Sequence, residues 1–132
     1  KKVKEAQNFY HHKYKFREDQ PMFDQAIQKF MSGRYGESLV ILNEFISNYD
    51  DYPQAYERRA YVHFYLKKYR EALKDANRAL KLAEMDYSLV NLRGVCYHLL
   101  GQKDSACADF KIAMEKGKKD AKTNFDKFCA TK

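Results

Sequence analysis

The chain has 132 residues, 33% charged, 45% hydrophobic and 15% aromatic, with five Gly and two Pro. This excludes disordered, collagen-like and low-complexity chains and fits one compact domain. Its net charge of +7 and sequence pI near 9.2 raise the question of an anionic partner, which only the placement of the charge can answer. In chain order, residues 1–18 come first, with six Lys or Arg against two Glu and with interleaved aromatics. Val3, Ala6, Tyr10 and Tyr14 fit one helical stripe, so this basic, aromatic extension is expected to be helical and to pack on the next segment of the chain or to occupy a groove.

From Asp19 a period emerges. Blocks starting at Asp19, Pro53 and Tyr87 are spaced by 34 residues, and the next step lands on Ala121. Small residues recur at the eighth place (Ala26, Ala60, Gly94) and at the twentieth (Ser38, Ala72, Ala106), where two helices can approach closely. Between them the apolar spacing is helical, as in Tyr56, Ala60, His63, Phe64 and then Tyr69, Ala72, Leu73, Ala76, Leu80. Each block therefore reads as a helical hairpin with an apolar face it cannot bury alone, and three such hairpins are expected to stack into a solenoid. Asp19 before Pro21 marks the first helix start. At the other end Asp120 is an expected N-cap, and Ala121, Phe125 and Phe128 form a stripe that suits a capping helix over 121–132.

The pattern resembles the tetratricopeptide repeat (TPR) family, whose 34-residue unit is two antiparallel helices. Gly94, Tyr97, Gly101, Ala106, Phe110 and Ala113 in the third block stand where that family favours these residue types. The second block carries Tyr56, Ala60, Tyr69, Ala72, Ala79 and Leu80 but has Lys67 in place of the turn Gly and His63 in place of Tyr. The first keeps Ala26, Gly33, Tyr35 and Leu39, with Lys29 and Phe45 at divergent places. The family's Pro near the repeat end is replaced by Asp50, Glu84 and Lys118. The resemblance implies an all-α, right-handed superhelical solenoid of repeats 19–52, 53–86 and 87–120 with the cap helix 121–132.

It also implies a concave surface built mainly from the first helix of each hairpin. Carried over place by place, that surface offers Phe23, Ile27, Arg58, Tyr61, Tyr65, Asn91, Leu92, Val95 and His98 as candidate peptide or partner contacts. Several aromatics of the same stripe, Phe30 and Phe64 among them, read equally well as packing between neighbouring helices. Net charge is +4 over residues 1–18, −4 over 19–52, +3 over 53–86 and +4 over 87–132, so the basic excess is spread and interrupted by an acidic block. The inferred groove is apolar and aromatic rather than lined with Lys and Arg, which points to protein rather than to phosphate. The resemblance further implies a test for chaperone C-terminal tails, which family members bind through a two-carboxylate clamp of Lys, Asn, Asn, Lys and Arg. Those places hold Phe23, Ile27, Arg58, Ser88 and Leu92, so such tails are disfavoured.

Other chemistries leave no signature. P-loop, GxSxG, HExxH and paired CxxC motifs are missing, and neither His11 with His12 nor Cys96 with His98 has metal-ligand spacing, so neither catalysis, cofactor nor metal is expected. Three Cys do not make a disulfide framework; Cys96 and Cys107 read as small buried hydrophobes and Cys129 as an exposed, oxidisable thiol. That usage slightly favours the cytoplasm, although a chain starting at Lys1 also fits a mature exported form. No apolar stretch approaches the ~20 residues of a membrane span. The expected function is a non-catalytic protein-interaction module holding a peptide or partner helix in an aromatic groove. A self-associating scaffold with the N-terminal segment in a groove, and nonspecific electrostatic binding to RNA or an anionic surface, stay open as alternatives.

Overall fold

The structure is a computed structural model in which residues 19–129 are described; the segment 1–18, with its expected helical stripe and groove occupancy, and residues 130–132 lie outside the described residues. Seven helices follow one another there without a strand: α1 (Gln20–Met31), α2 (Tyr35–Asn48), α3 (Pro53–Tyr65), α4 (Tyr69–Leu82), α5 (Tyr87–Leu99), α6 (Lys103–Glu115) and α7 (Lys119–Phe128). Each helix packs mainly on its chain neighbours, so α1/α2, α3/α4 and α5/α6 form three stacked hairpins and α7 lies on the last. None of these helices is long and apolar enough to cross a membrane.

The helix starts and stops obey local chemistry. Pro21 and Pro53 sit in the first turns of α1 and α3, where their missing N–H is not needed. Asp86 caps α5, its carboxylate accepting from the Ser88 and Leu89 N–H groups. Asp19 flanks α1 without capping it, and its carboxylate instead accepts from the Tyr49 hydroxyl at 2.8 Å. Two residues past the end of the first helix of every hairpin stands a residue in the left-handed region: Gly33 (φ +77°), Lys67 (φ +62°) and Gly101 (φ +80°). In all three turns that residue donates back to Phe30, Phe64 or His98, and the next donates to Lys29, His63 or Tyr97. The second helices then start at Tyr35, Tyr69 and Lys103, a constant 34-residue step. Lys67 thus takes a conformation that glycine adopts freely and an L side chain resists.

Inside the hairpins the small-residue places are contact points. Ala26, Ser38, Ala60, Ala72 and Ala106 are at most 1% exposed. The Ser38 hydroxyl is satisfied by the Ala26 carbonyl at 2.8 Å. A Cβ on Gly94 would meet the Phe110 ring at 2.7 Å, so the third hairpin needs glycine there. The core differs along the stack. In the first hairpin Phe23, Phe45, Tyr49 and Tyr52 form an aromatic cluster, with Phe45 fully buried at 5.0 Å from Phe23 and 4.7 Å from Tyr49 between ring centroids. Burying one such side chain stabilises by about 1.5–3 kcal/mol.

The second and third hairpins add an ion-pair ladder. Arg59 on α3 makes a two-pronged contact with Asp75 on α4, both bonds 2.8 Å, and reaches back to Asn43 on α2 at 3.0 Å. One repeat later Arg93 binds Asp109 and Asn77 with the same geometry. Asp75 and Asp109 are buried, and the bidentate fork satisfies both oxygens of each.

Two readings of the C-terminal region are corrected. Asp120 is not the N-cap of the tail helix; α7 begins at Lys119 behind Lys118, whose side chain makes no cap bond, and Asp120 lies in the first turn. Cys107 and Cys129 are neither a buried hydrophobe and a free thiol nor independent, because α7 returns along α6, brings their Cα atoms within 5.7 Å and joins them in a disulfide. The odd cysteine is Cys96, fully buried in the core, where burial pushes its thiol up to about 11.

Candidate functional site

A cavity of about 610 Å3 opens where α3, α5 and α7 face one another. From α3 come Tyr61, Phe64 and Tyr65; from α5 Ser88, Asn91, Leu92 and Val95; and from the start of α7 Lys118, Lys119, Asp120, Thr123 and Asn124. One wall is therefore aromatic, the floor aliphatic and the opposite wall polar and basic. Residues three and four apart on a helix share a face, which is why Tyr61 with Tyr65 and Ser88 with Asn91, Leu92 and Val95 arrive together.

The geometry sorts the nine candidate contacts. Tyr61, Tyr65, Asn91, Leu92 and Val95 converge on this cavity. Leu92 contributes only as floor, being 6% exposed and part of the core, and Asn91 is held by a 3.1 Å hydrogen bond from Asn124 on α7. Phe23 is not a surface contact: it is buried against Phe45 and Tyr52 in the first hairpin. Ile27 is half-buried, packed against the core, and with exposed Met31 lines a separate depression formed by α1 and its following turn. Arg58 is half-buried beside Tyr61 and Glu57 without lining the cavity. His98 is taken up by α7, stacked on Phe128 with ring centroids 3.8 Å apart.

The α7 wall is the part of the site that sequence reasoning missed. The apolar stripe Ala121, Phe125 and Phe128 predicts a covering role, and two of its residues dock: Ala121 is fully buried against Val90 and Ala113, and Phe128 meets His98 and Phe110. The signal for the second role lies between those positions. Asn124 is three residues beyond Ala121, so the face beside the buried stripe looks back at α5.

Electrostatically the aromatic wall backs onto acid. Burial and a hydrogen bond to Asp86 push the Glu57 carboxyl up to about 7, while that same bond holds Asp86 below its ordinary value, helped by the Ser88 and Leu89 amides. Burial first, then the Asp86 and Glu57 charges, push the Tyr61 phenol up to about 12, so it presents a protonated hydroxyl at neutral pH. Tyr65 stacks face to face on Tyr35 at 5.0 Å and meets Phe30 edge-on, which fixes its ring while leaving it 50% exposed. Among the described residues no group of His, Cys, Asp and Glu is arranged to hold a metal ion.

Three stacked two-helix units in 34-residue steps, with small residues at the crossings and a concave cleft between first helices, define a helical-repeat solenoid. The pattern of the tetratricopeptide repeat family matches residues 53–86, the whole second hairpin. The fold is the one shared by solved tetratricopeptide repeat domains. Solved structures with the same fold include the first TPR of Spaghetti (RPAP3) bound to the HSP90 peptide SRMEEVD, at 21% identity and TM-score 0.79, covering 85% of this chain and 90% of that one. The Arabidopsis OM64 TPR domain aligns at 19% identity and TM-score 0.81 over 86% of this chain and 96% of its own. The second TPR domain of human RPAP3, in complex with the HSP70 peptide SGPTIEEVD, is 25% identical with a TM-score of 0.76 over 83% and 93%. Comparison with curated protein sequences gives no match.

Proposed function

We propose that the chain is a non-catalytic protein-interaction module whose ligand is a peptide or partner helix seated in the cleft between α3, α5 and α7. The observation that carries this is the convergence of Tyr61, Tyr65, Asn91, Leu92 and Val95 on one cavity of about 610 Å3, an aromatic and aliphatic surface with a few placed polar groups. Affinity would come from the two tyrosine rings and the Leu92–Val95 floor, orientation from the Tyr61 hydroxyl, Asn91, Asn124 and the Lys118–Lys119 rim. The helices are preformed, which limits the ordering cost on this side of the complex. Two Lys against one Asp in the lining is too little charge to track a phosphate backbone, which disfavours nucleic acid as the ligand of this site.

The related domains bound to HSP90 and HSP70 peptides support a peptide ligand. They do not make the same ligand expected here, because the clamp places hold buried Phe23, Ile27, Arg58, Ser88 and buried Leu92. The test is selection from a displayed random-peptide library with the full chain, followed by calorimetric titration of the selected peptide and of SRMEEVD. Tyr61→Ala and, separately, Thr123→Trp, which fills the cavity from its exposed α7 edge, are each expected to weaken the selected peptide by about tenfold or more. They should leave helical circular dichroism unchanged. Affinity that survives both substitutions would place the ligand elsewhere, and tight SRMEEVD binding would show that the missing clamp is replaced by other groups.

A further inference from the structure

The wall that α7 lends to the cavity is weakly held by everything except one bond. Its ten residues are too few for a helix that stands alone in water. Only Ala121 among its residues is fully buried. The hydrogen bond from Asn124 to Asn91 and the contacts of the Phe128 ring with His98 and Phe110 are further side-chain ties to the third hairpin, whereas the Lys122–Asp126 and Thr123–Lys119 contacts lie within the helix. The remaining tie is covalent, from Cys107 on α6 to Cys129 just past the end of α7.

We propose that the Cys107–Cys129 pair is a reversible thiol–disulfide site that sets whether α7 closes the cavity. In the oxidised state the bond pins the C-terminal end of α7, keeps Phe128 on His98 and holds Lys118, Lys119 and Asn124 opposite Tyr61 and Tyr65. A dithiol reductant attacks one sulfur, passes through a mixed disulfide and leaves as its own cyclic disulfide. Two electrons and two protons are thereby transferred, and the chain is left with two thiols; a disulfide-form oxidant of the same class reverses the step. Both cysteines are partly exposed residues, at the surface where such a partner meets the chain. Cys96, sealed in the core with its thiol pushed up, does not compete in exchange. Reduction restores the freedom of a 22-residue separation and lets α7 fray from its C-terminal end, so the polar wall of the cleft is lost while the three hairpins stay folded.

The consequence for binding rests on the proposed peptide-interaction function, but the test needs no ligand. Amide hydrogen exchange of residues 119–128 is followed in the full chain, air-oxidised and after dithiothreitol, with native alkylation and mass measurement to count reactive thiols. Expected are no reactive thiols in the oxidised chain and two after reduction, with α7 exchange accelerated by about tenfold or more and α3 unchanged. Cys129→Ser should exchange fast in α7 under both conditions and respond to reductant no further. Two alkylated thiols in the air-oxidised chain, or α7 protection that is unchanged once both thiols are free, overturns the proposal. A peptide site that fails while the exchange response holds counts against the interaction function alone.

Discussion

The first and third hairpins use the same architecture and hold it by different chemistry. In the first, aromatic rings fill the space between α1 and α2, with Phe45 fully buried among Phe23, Tyr49 and Tyr52. In the third, Arg93 forks onto Asp109 and crosses back to Asn77. The first hairpin has Gln25 and Ile41 at the places of Arg59 and Asp75, so the ladder has no equivalent there. The repeat therefore prescribes a backbone step and small residues at the crossings, and leaves the means of cohesion to each unit.

The comparison is most sharply broken by removing one half of the ladder. Arg93→Leu leaves the buried Asp109 carboxylate uncompensated and is expected to destabilise by about 3–5 kcal/mol in urea unfolding. Arg59→Leu should cost less as pH falls, because His63 stands 3.4 Å from Asp75 and can take up a proton beside it; in the third hairpin Tyr97 fills that place. Equal losses at about pH 5 and pH 8 would show that the histidine gives no such help. Phe45→Ala tests the aromatic hairpin, with an expected loss of about 3–5 kcal/mol from transfer and cavity. Gly94→Ala should cost about 1–3 kcal/mol, because the new Cβ meets a Phe110 ring that is itself fully buried. Lys67→Gly runs the other way. It relieves a left-handed L residue at the one first-helix turn without glycine and should gain about 1 kcal/mol, read as a raised midpoint at unchanged slope.

Much of this fold is legible in the chain because a 34-residue repeat samples one geometry three times. The turn residues Gly33, Lys67 and Gly101 and the small pairs from Ala26 with Ser38 to Gly94 with Ala106 register a backbone constraint, and backbone constraints survive divergence. The ladder leaves a trace too, since Asn43 and Asn77, Arg59 and Arg93, and Asp75 and Asp109 are each 34 apart, but polar residues on a helix read as solvated until their depth is known. The site is legible only in part. Helix period places Tyr61, Tyr65, Asn91 and Val95 on one face of their helices, yet rotational phase decides burial. Phe23 turns inward with the core, and His98 is covered by a helix that belongs to no repeat. The α7 wall and the disulfide depend on how the chain returns after its last hairpin, which no internal repetition encodes.

The smallest expected effect concerns two groups of the second hairpin whose protonation pulls in opposite directions. Glu57, raised from an ordinary 4.5 to about 7 by burial and its bond to Asp86, binds a proton more readily folded than unfolded. Its contribution is therefore complete below about pH 4.5 and lost as pH rises through about 7. His63 is lowered from an ordinary 6.5 by burial, which outweighs Asp75 and Glu71, while Arg59 and Lys68 push the same way as burial. Its contribution is complete above about pH 6.5 and lost as pH falls through its lowered value. Between about pH 5 and pH 7 the two slopes oppose, and the wild-type melting temperature should vary little from these groups. Glu57→Gln removes the falling limb and keeps a side chain able to hydrogen-bond Asp86, so its melting temperature should rise with pH across that window. A variant whose profile is parallel to wild type would mean that Glu57 is ionised beside Asp86 at acidic pH, and that the acid behind Tyr61 carries two charges rather than one.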